Sequence, residues 1–508
     1  MRRQRALIIG AGVGGLTAAM KLAHAGLDVD VFEKQPGPGG RCGRVELGPF
    51  RFELGPTILL MPHVLEETFA SVGRRMADYL QLVRCDPRYR VHYRDGSTLT
   101  LWSDPSRLGE ELEALEPGGR ARYQAFLARA RVQHDTAFER FVDRHFASVF
   151  ELVAPRNLPA LARTGALKRL WPQVARHFQS AHLRQALSFQ TMYLGLSPWE
   201  APAVFSLLPY SEASHGIWFP RGGLHSVPLA LEQVCREEGV SFHFKTSVRR
   251  IRVEGGVATG VELADGTVRS ADLVLCNADY AWGVRNLLPE PLAVRRSARV
   301  EKKRFTSSGF MLFLGLKQRV PDLLHHNVFF GRDFERSFLD IFERHRIPED
   351  VSFYVNAPVR TDPSFAPAGK DALYVLVPVP HRSAAVDWRA EAPRVRAQVL
   401  ARLEAEGFGR LSPLIEVERA FTPDDWEREL NLARGSNYGL AQSLTQIGPF
   451  RPRVVDPEVK NLFWCGASIQ PGTGVPTVMI SARLAVDAML PGTAIPRASP
   501  VEPREVFA

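Results

Sequence analysis

Three glycines at fixed spacing, with one acidic residue behind them, are the part of this sequence best suited to a chemical task. Gly10, Gly12 and Gly15 stand in ALIIGAGVGGLT, residues 6–17, and Glu33 closes the stretch LDVDVFE. In a Gly-x-Gly-x-x-Gly turn the first glycine permits the tight bend. The second lets the backbone approach a pyrophosphate, and the third lets the following helix pack close to its sheet. The helix N-terminus then offers free N–H groups and a positive dipole end to phosphate. Glu33 lies 18 residues after Gly15, where a carboxylate accepts both hydroxyls of an adenosine ribose.

The elements needed to hold these residues are legible around them. Residues 6–10 read as a buried strand, 16–26 (LTAAMKLAHAG) as a helix stopping at Gly26, and 27–33 as an alternating strand. The basic start and apolar middle also resemble a secretory signal. Glycines at 10, 12, 14 and 15 break that apolar run, and the helix and strand that follow belong to a folded unit. Residues 33–44, EKQPGPGGRCGR, add a flexible Gly39-Gly40 pair with Arg41 and Arg44. Such a turn suits a second approach to the pyrophosphate; a surface turn with solvated arginines is the alternative.

Composition narrows the classes. The 508 residues predict two to four structural units, and 45% apolar with 23% charged residues is ordinary for a globular protein. The net charge of +9 is spread out, and no zinc-finger, helix-turn-helix or RNA-binding signature accompanies it, so no nucleic-acid partner is expected. Five widely spaced cysteines without CxxC argue against a disulfide framework and for a reducing, cytoplasmic setting. His325–His326 is an isolated pair without carboxylates at ligand spacing, and no metal is expected. No apolar run reaches the length that spans a bilayer.

Together, GAGVGGLTAA, VFEKQPGPGGRCGR and FRFELGPT resemble the start of FAD-dependent amine oxidase-type flavoproteins, and more narrowly the bacterial phytoene desaturase family. GIWFPRGGLHSVPLALE at 216–232, DLVLCNAD at 272–279 and NLFWCGASIQPGTGVPTVMISARLA near the C-terminus carry the same resemblance, which runs from residue 6 to about 490. It implies FAD, held by Gly10, Gly12, Gly14, Gly15, Glu33, Lys34, Gly40, Arg41, Pro56, Thr57, Val248, Gly466, Gly474, Val475 and Pro476. The small residues around Gly474 would let the last helix bring its dipole to the flavin edge and stabilise negative charge there. The implied substrate is a long apolar polyene such as phytoene. Hydride would pass to flavin N5, a proton would leave the adjacent carbon, and oxygen or a quinone would accept the electrons.

Serine-hydrolase and metal constellations are absent from the sequence. Glu212, His215, Arg221, Gln470 and Thr473 are candidate polar helpers, with ordinary hydrogen bonding or surface roles as the alternative. Many members of the resembled family carry Thr-His-Pro-Gly where this chain has Ile469-Gln470-Pro471-Gly472, and a small residue where Thr473 stands. That departure leaves open a 3,4-desaturase, isomerase, saturase or terminal oxidase. An amine oxidase would want an aromatic cage that the C-terminal motif lacks. A non-catalytic prenyl-lipid carrier would not need the glycine cradle intact.

The expected fold is α/β: a Rossmann-like, discontinuous FAD-binding domain (1–75, 216–285 and 455–493) plus a mixed-sheet and helical substrate domain (76–215 and 286–454), with a mobile tail at 494–508. Residues 306–316, 351–356 and 372–379 read as strands of the second unit. Residues 150–175 alternate Leu, Ala, Trp and Val with Arg and Lys, with two proline breaks. They read as an amphipathic surface helix suited to peripheral contact with an anionic membrane, or as a helix packed on its own domain.

Overall fold

The computed structural model describes residues 3–492; the expected tail lies outside them. Arg5–Ile9 is the central strand of a five-stranded sheet, in the order Leu462–Trp464, Leu273–Cys276, Arg5–Ile9, Asp28–Phe32, Ser241–His243. Every pairing in it is parallel, with Ile8 flanked by Val31 and Leu275, and Cys276 opposite Trp464. The buried positions of its three central strands are mostly Val, Ile, Leu and Phe, with Ala6, Asp30 and Cys276 among them, as a sheet covered on both faces favours. The helix Val13–His24 packs against helices Ser226–Glu237 and Val475–Met489. One sheet thus draws on three distant stretches of chain.

The helix after the glycine turn starts at Val13, earlier than its periodicity suggests. Gly12 is extended (φ −75°, ψ 171°) and serves as its cap, so Gly14 and Gly15 fall inside the first turn.

A seven-stranded mixed sheet forms the second layer, ordered Ile415–Phe421, Ser308–Leu316, Asp371–Val379, Phe353–Asn356, His326–Phe329, Arg90–His92, Thr98–Thr100. Its pairs are antiparallel apart from His326–Phe329 with Arg90–His92. The two-residue period of Asp371–Val379 decides what each face does. Leu373, Val375 and Val377 pack with Val395 and Val399 of the helix Trp388–Leu403, while Tyr374, Leu376 and Pro378 face a cavity. The strands expected at 306–316, 351–356 and 372–379 are present within two residues of those bounds.

Residues 150–175 are not one amphipathic helix. They break into Val149–Leu152, a 3₁₀ turn Pro155–Asn157, Leu158–Thr164 and Leu170–His177. Pro155 and Pro159 remove backbone donors, and Gly165 ends the third piece in a left-handed conformation (φ 64°). Among the described residues, no helix is long and apolar enough to cross a membrane.

Candidate cofactor and substrate cavity

A cavity of about 730 Å³ takes its walls from both sheets. At one end lie Gly10, Gly12, Glu33, Gly40 and Arg41; elsewhere Phe189, Phe330, Phe334, Phe338 and Ile341 form an apolar wall. Every residue expected at the cofactor lines it except Gly15. Gly15 instead makes the close helix–strand approach: a Cβ there would stand 2.1 Å from the Gly10 carbonyl oxygen. Gly10 itself has φ 97°, which a side chain would strain.

Glu33 is buried just past the end of its strand. Its Oε2 accepts the Ala11 N–H at 2.8 Å and its Oε1 accepts the Gln35 N–H at 2.8 Å. Each oxygen keeps lone-pair capacity for a hydroxyl, and the two donors fix the carboxylate plane. Burial pulls the Lys34 ammonium below its ordinary range, opposed by Glu33 and Glu429. Arg41 Nη2 donates to Asp279 Oδ2 at 3.1 Å, whereas its Nε is buried with no partner. Gln442 Nε2, also in the lining, is likewise buried and unpartnered. Two unsatisfied donors at a cradle of glycines are what an anionic, carbonyl-bearing group would satisfy. The residues present therefore fit FAD.

The far wall of the nucleotide end comes from the C-terminal motif. Gly466 (φ 120°) and Gly474 (φ 123°) hold backbone that other residues rarely adopt. The helix Val475–Met489 begins there, with Pro476 in the first turn, where a missing N–H costs nothing.

The candidate helpers divide. Thr473 lines the cavity. Gln470 does not: its Oε1 accepts the Phe146 N–H at 3.1 Å, and its Nε2 donates to the carbonyls of Phe146 and Gly448. Its side chain is spent tying loops together behind the cavity wall. Arg221 is exposed on the surface. His215 packs edgewise against His63 and lies beside His134. Glu212 is fully buried outside the lining, accepting from the Tyr89 hydroxyl at 2.6 Å and from Gln190 Nε2 at 3.3 Å. Burial raises its carboxyl to about 7.

Three residues carry more of the site than sequence reasoning assigned them. Asn277 lies beneath the glycine turn, its amide within 3.5 Å of the Gly10 carbonyl. Asp279 both pairs with Arg41 and caps the helix Tyr280–Asn286. Gln442 sits so close to Gly472 that a Cβ there would meet its Oε1 at 2.0 Å. The stretch CNAD after a buried strand was the available signal for the first two.

The sequence matches the family of flavin-containing amine oxidoreductases over residues 13–490. A zeta-carotene-forming phytoene desaturase of Myxococcus xanthus is 56% identical over 489 residues, covering 96% of this chain and 94% of that protein. A phytoene desaturase of Phycomyces blakesleeanus is 39% identical over 492 residues, covering 95% and 84%. The chain belongs to the carotenoid desaturase branch of the flavin-containing amine oxidoreductases. It is an FAD-dependent oxidoreductase. A solved putrescine oxidase shares the fold, with a TM-score of 0.63 at 16% identity, covering 96% of this chain and 98% of that one.

Proposed function

We propose that this enzyme desaturates phytoene or a closely related acyclic carotenoid. One observation carries the reading: the charged residues lining the cavity are Glu33, Lys34, Arg41 and Asp279, all at the nucleotide end, and the rest of the wall is apolar, aromatic or neutral. A polar amine would find no counter-charge there, and a long polyene would need none. The two desaturases described above support the same substrate class.

Bound FAD supplies the hydride acceptor for such a dehydrogenation. The protein's part is positional. Phe189, Phe330, Phe334 and Phe338 exclude water and hold the chain of the polyene in register. Tyr354 and Tyr374 reach the same cavity, but their hydroxyls are already committed, to Thr57 Oγ1 at 2.9 Å and to the Gly55 carbonyl at 2.6 Å. The lining carboxylates, Glu33 and Asp279, stand at the nucleotide end, so the proton passes to water from the carbon next to the one that gives up hydride, where the allylic positive charge acidifies it. Oxygen or a quinone then takes the electrons.

We assign the nucleotide unit to residues 1–75, 216–285 and 455–493 and the substrate unit to 76–215 and 286–454. The membership of the two sheets supports that division.

The enzyme works as a cytoplasmic protein at the membrane surface. Phe150 is 84% exposed and Leu167 90% exposed, and Leu158 and Val153 of the same stretch of sequence are exposed as well. Arg156, Arg163 and Lys168, also exposed, alternate with them along the sequence. Exposed apolar residues set among cations suit insertion between anionic headgroups, at the place where a membrane-dissolved substrate is met.

Incubating the FAD-loaded enzyme with phytoene in liposomes and separating the pigments tests the reading. More conjugated products are expected. Unchanged phytoene, together with turnover of a polar amine, would overturn it.

A further inference from the structure

Strand Leu82–Cys85 and the start of strand His326–Phe329 are far apart in sequence, yet they bring Cys85 against His325 and His326. One ligand atom from each, the thiol sulfur and a ring nitrogen of each histidine, lie within 4.8 Å of one another. All three residues are more than nine-tenths buried. His325 Nδ1 lies 2.6 Å from Thr361 Oγ1, and His326 Nδ1 lies 2.6 Å from the Tyr354 hydroxyl. With Nδ1 engaged, Nε2 is what each ring has left to give, and both Nε2 atoms are buried without a partner. One such orphan costs about 1–3 kcal/mol. Two such orphans on neighbouring histidines that stand against a thiol, among the described residues the single trio of this kind, call for a common partner.

We propose that Cys85, His325 and His326 bind one divalent cation of the zinc class. A thiolate with two neutral imidazoles is a borderline-soft donor set, which favours zinc over calcium or magnesium. Tetrahedral zinc needs its sulfur and nitrogen ligands about 3.3–3.6 Å apart, so a trio whose ligand atoms lie within 4.8 Å of one another closes by up to about 1.5 Å through side-chain rotation. Thr361 and Tyr354 are the outer partners that fix ring orientation. Binding exchanges the Cys85 thiol proton for the metal: one S–H bond breaks, one zinc–sulfur bond forms, and the proton leaves to solvent. A solvent molecule takes the fourth position.

The ion would tie strand Leu82–Cys85, which pairs with Ile217–Pro220, to the mixed sheet. It would stand one hydrogen bond behind the cavity, since the Tyr354 hydroxyl beside His326 also meets Thr57. Its role is structural: it braces the wall against which cofactor and substrate lie.

The test uses the untagged, full-length, FAD-loaded enzyme from zinc-supplemented growth, dialysed against metal-free buffer. Elemental analysis should find about one zinc per chain. Zinc K-edge X-ray absorption on the unsubstituted protein should show one sulfur at about 2.3 Å with nitrogen or oxygen neighbours at about 2.0 Å. In Cys85→Ser the sulfur shell should vanish. Less than about a tenth of a zinc per chain, a zinc shell without sulfur, or a sulfur shell that survives in Cys85→Ser would each overturn the proposal. None of these readouts depends on which carotenoid the enzyme accepts.

Discussion

Asn277 occupies the space that a side chain on Gly14 would need: a Cβ there would stand 2.6 Å from Asn277 Oδ1. Val478 of the C-terminal helix closes the same space at 2.9 Å. The first and last thirds of the sequence are therefore fitted to each other at the phosphate turn. Gly14→Ala should lose about 1–3 kcal/mol of stability by overpacking. Asn277→Ala in the same chain should return about 1 kcal/mol of that loss, because the two residues touch. Gly15→Ala, whose clash is with backbone, should cost more and yield flavin-free protein. Denaturant midpoints and the flavin-to-protein absorbance ratio read all three; additive single and double variants would refute the contact.

Glu33 gives a cofactor prediction. Both of its oxygens accept backbone N–H groups, so Glu33→Gln must turn an NH₂ toward one of those donors. FAD affinity should fall about 10- to 100-fold, the effect of about 1–3 kcal/mol at a buried polar contact. Titration by quenching of flavin fluorescence measures it. Unchanged affinity would remove Glu33 from the ribose site.

Glu53 makes stability depend on pH. It is buried, its Oε1 accepts the Leu224 N–H at 2.7 Å, its Oε2 has no partner, and burial raises its carboxyl to about 8. The folded state therefore holds this proton more tightly than the unfolded chain. Stability should decline as pH rises from about 4.5 to about 8, by up to about 1.4 kcal/mol per unit, and level off above. Glu212 adds a decline of the same sign up to about pH 7. Glu53→Gln should flatten the profile of thermal midpoint against pH; a profile as steep as before would exclude Glu53 as its source.

The exposed apolar side chains near residue 150 predict membrane contact. Phe150→Glu with Leu167→Glu should reduce co-flotation with anionic vesicles at low salt by about tenfold or more, while FAD content stays the same. Flotation equal to that of the unsubstituted enzyme would place the contact elsewhere.

What the sequence disclosed, and what it hid, follows the range of the interactions. The glycine turn, Glu33 and the Gly466–Pro476 region were readable because each depends on local backbone geometry. Three of the seven strands of the mixed sheet were readable from runs such as ALYVLVPV, whereas Ile415–Phe421, His326–Phe329, Arg90–His92 and Thr98–Thr100 were not. The break-up of residues 150–175 was underestimated, although Pro155, Pro159 and Gly165 are its plain causes. Gln470 sits in a motif beside the cavity yet turns away from it, because its amide is satisfied by Phe146 and Gly448. The pair His325–His326 was visible but pointed to no metal site, because the arrival of Cys85 beside it was not legible. It depends on how strand Arg90–His92 enters the mixed sheet beside His326–Phe329, a pairing between segments more than 200 residues apart that no local pattern records.

The most direct test of the account is one sample followed through two readings: the visible spectrum of the purified enzyme with FAD, then the pigments it forms from phytoene in liposomes. Flavin bands followed by coloured, more conjugated carotenoids are the predicted result, and the number of new double bonds counts the steps. Flavin bands with phytoene left intact under aerobic and quinone-supplemented conditions would contradict the assignment of phytoene as substrate. An enzyme that takes up no flavin would contradict the account at its base.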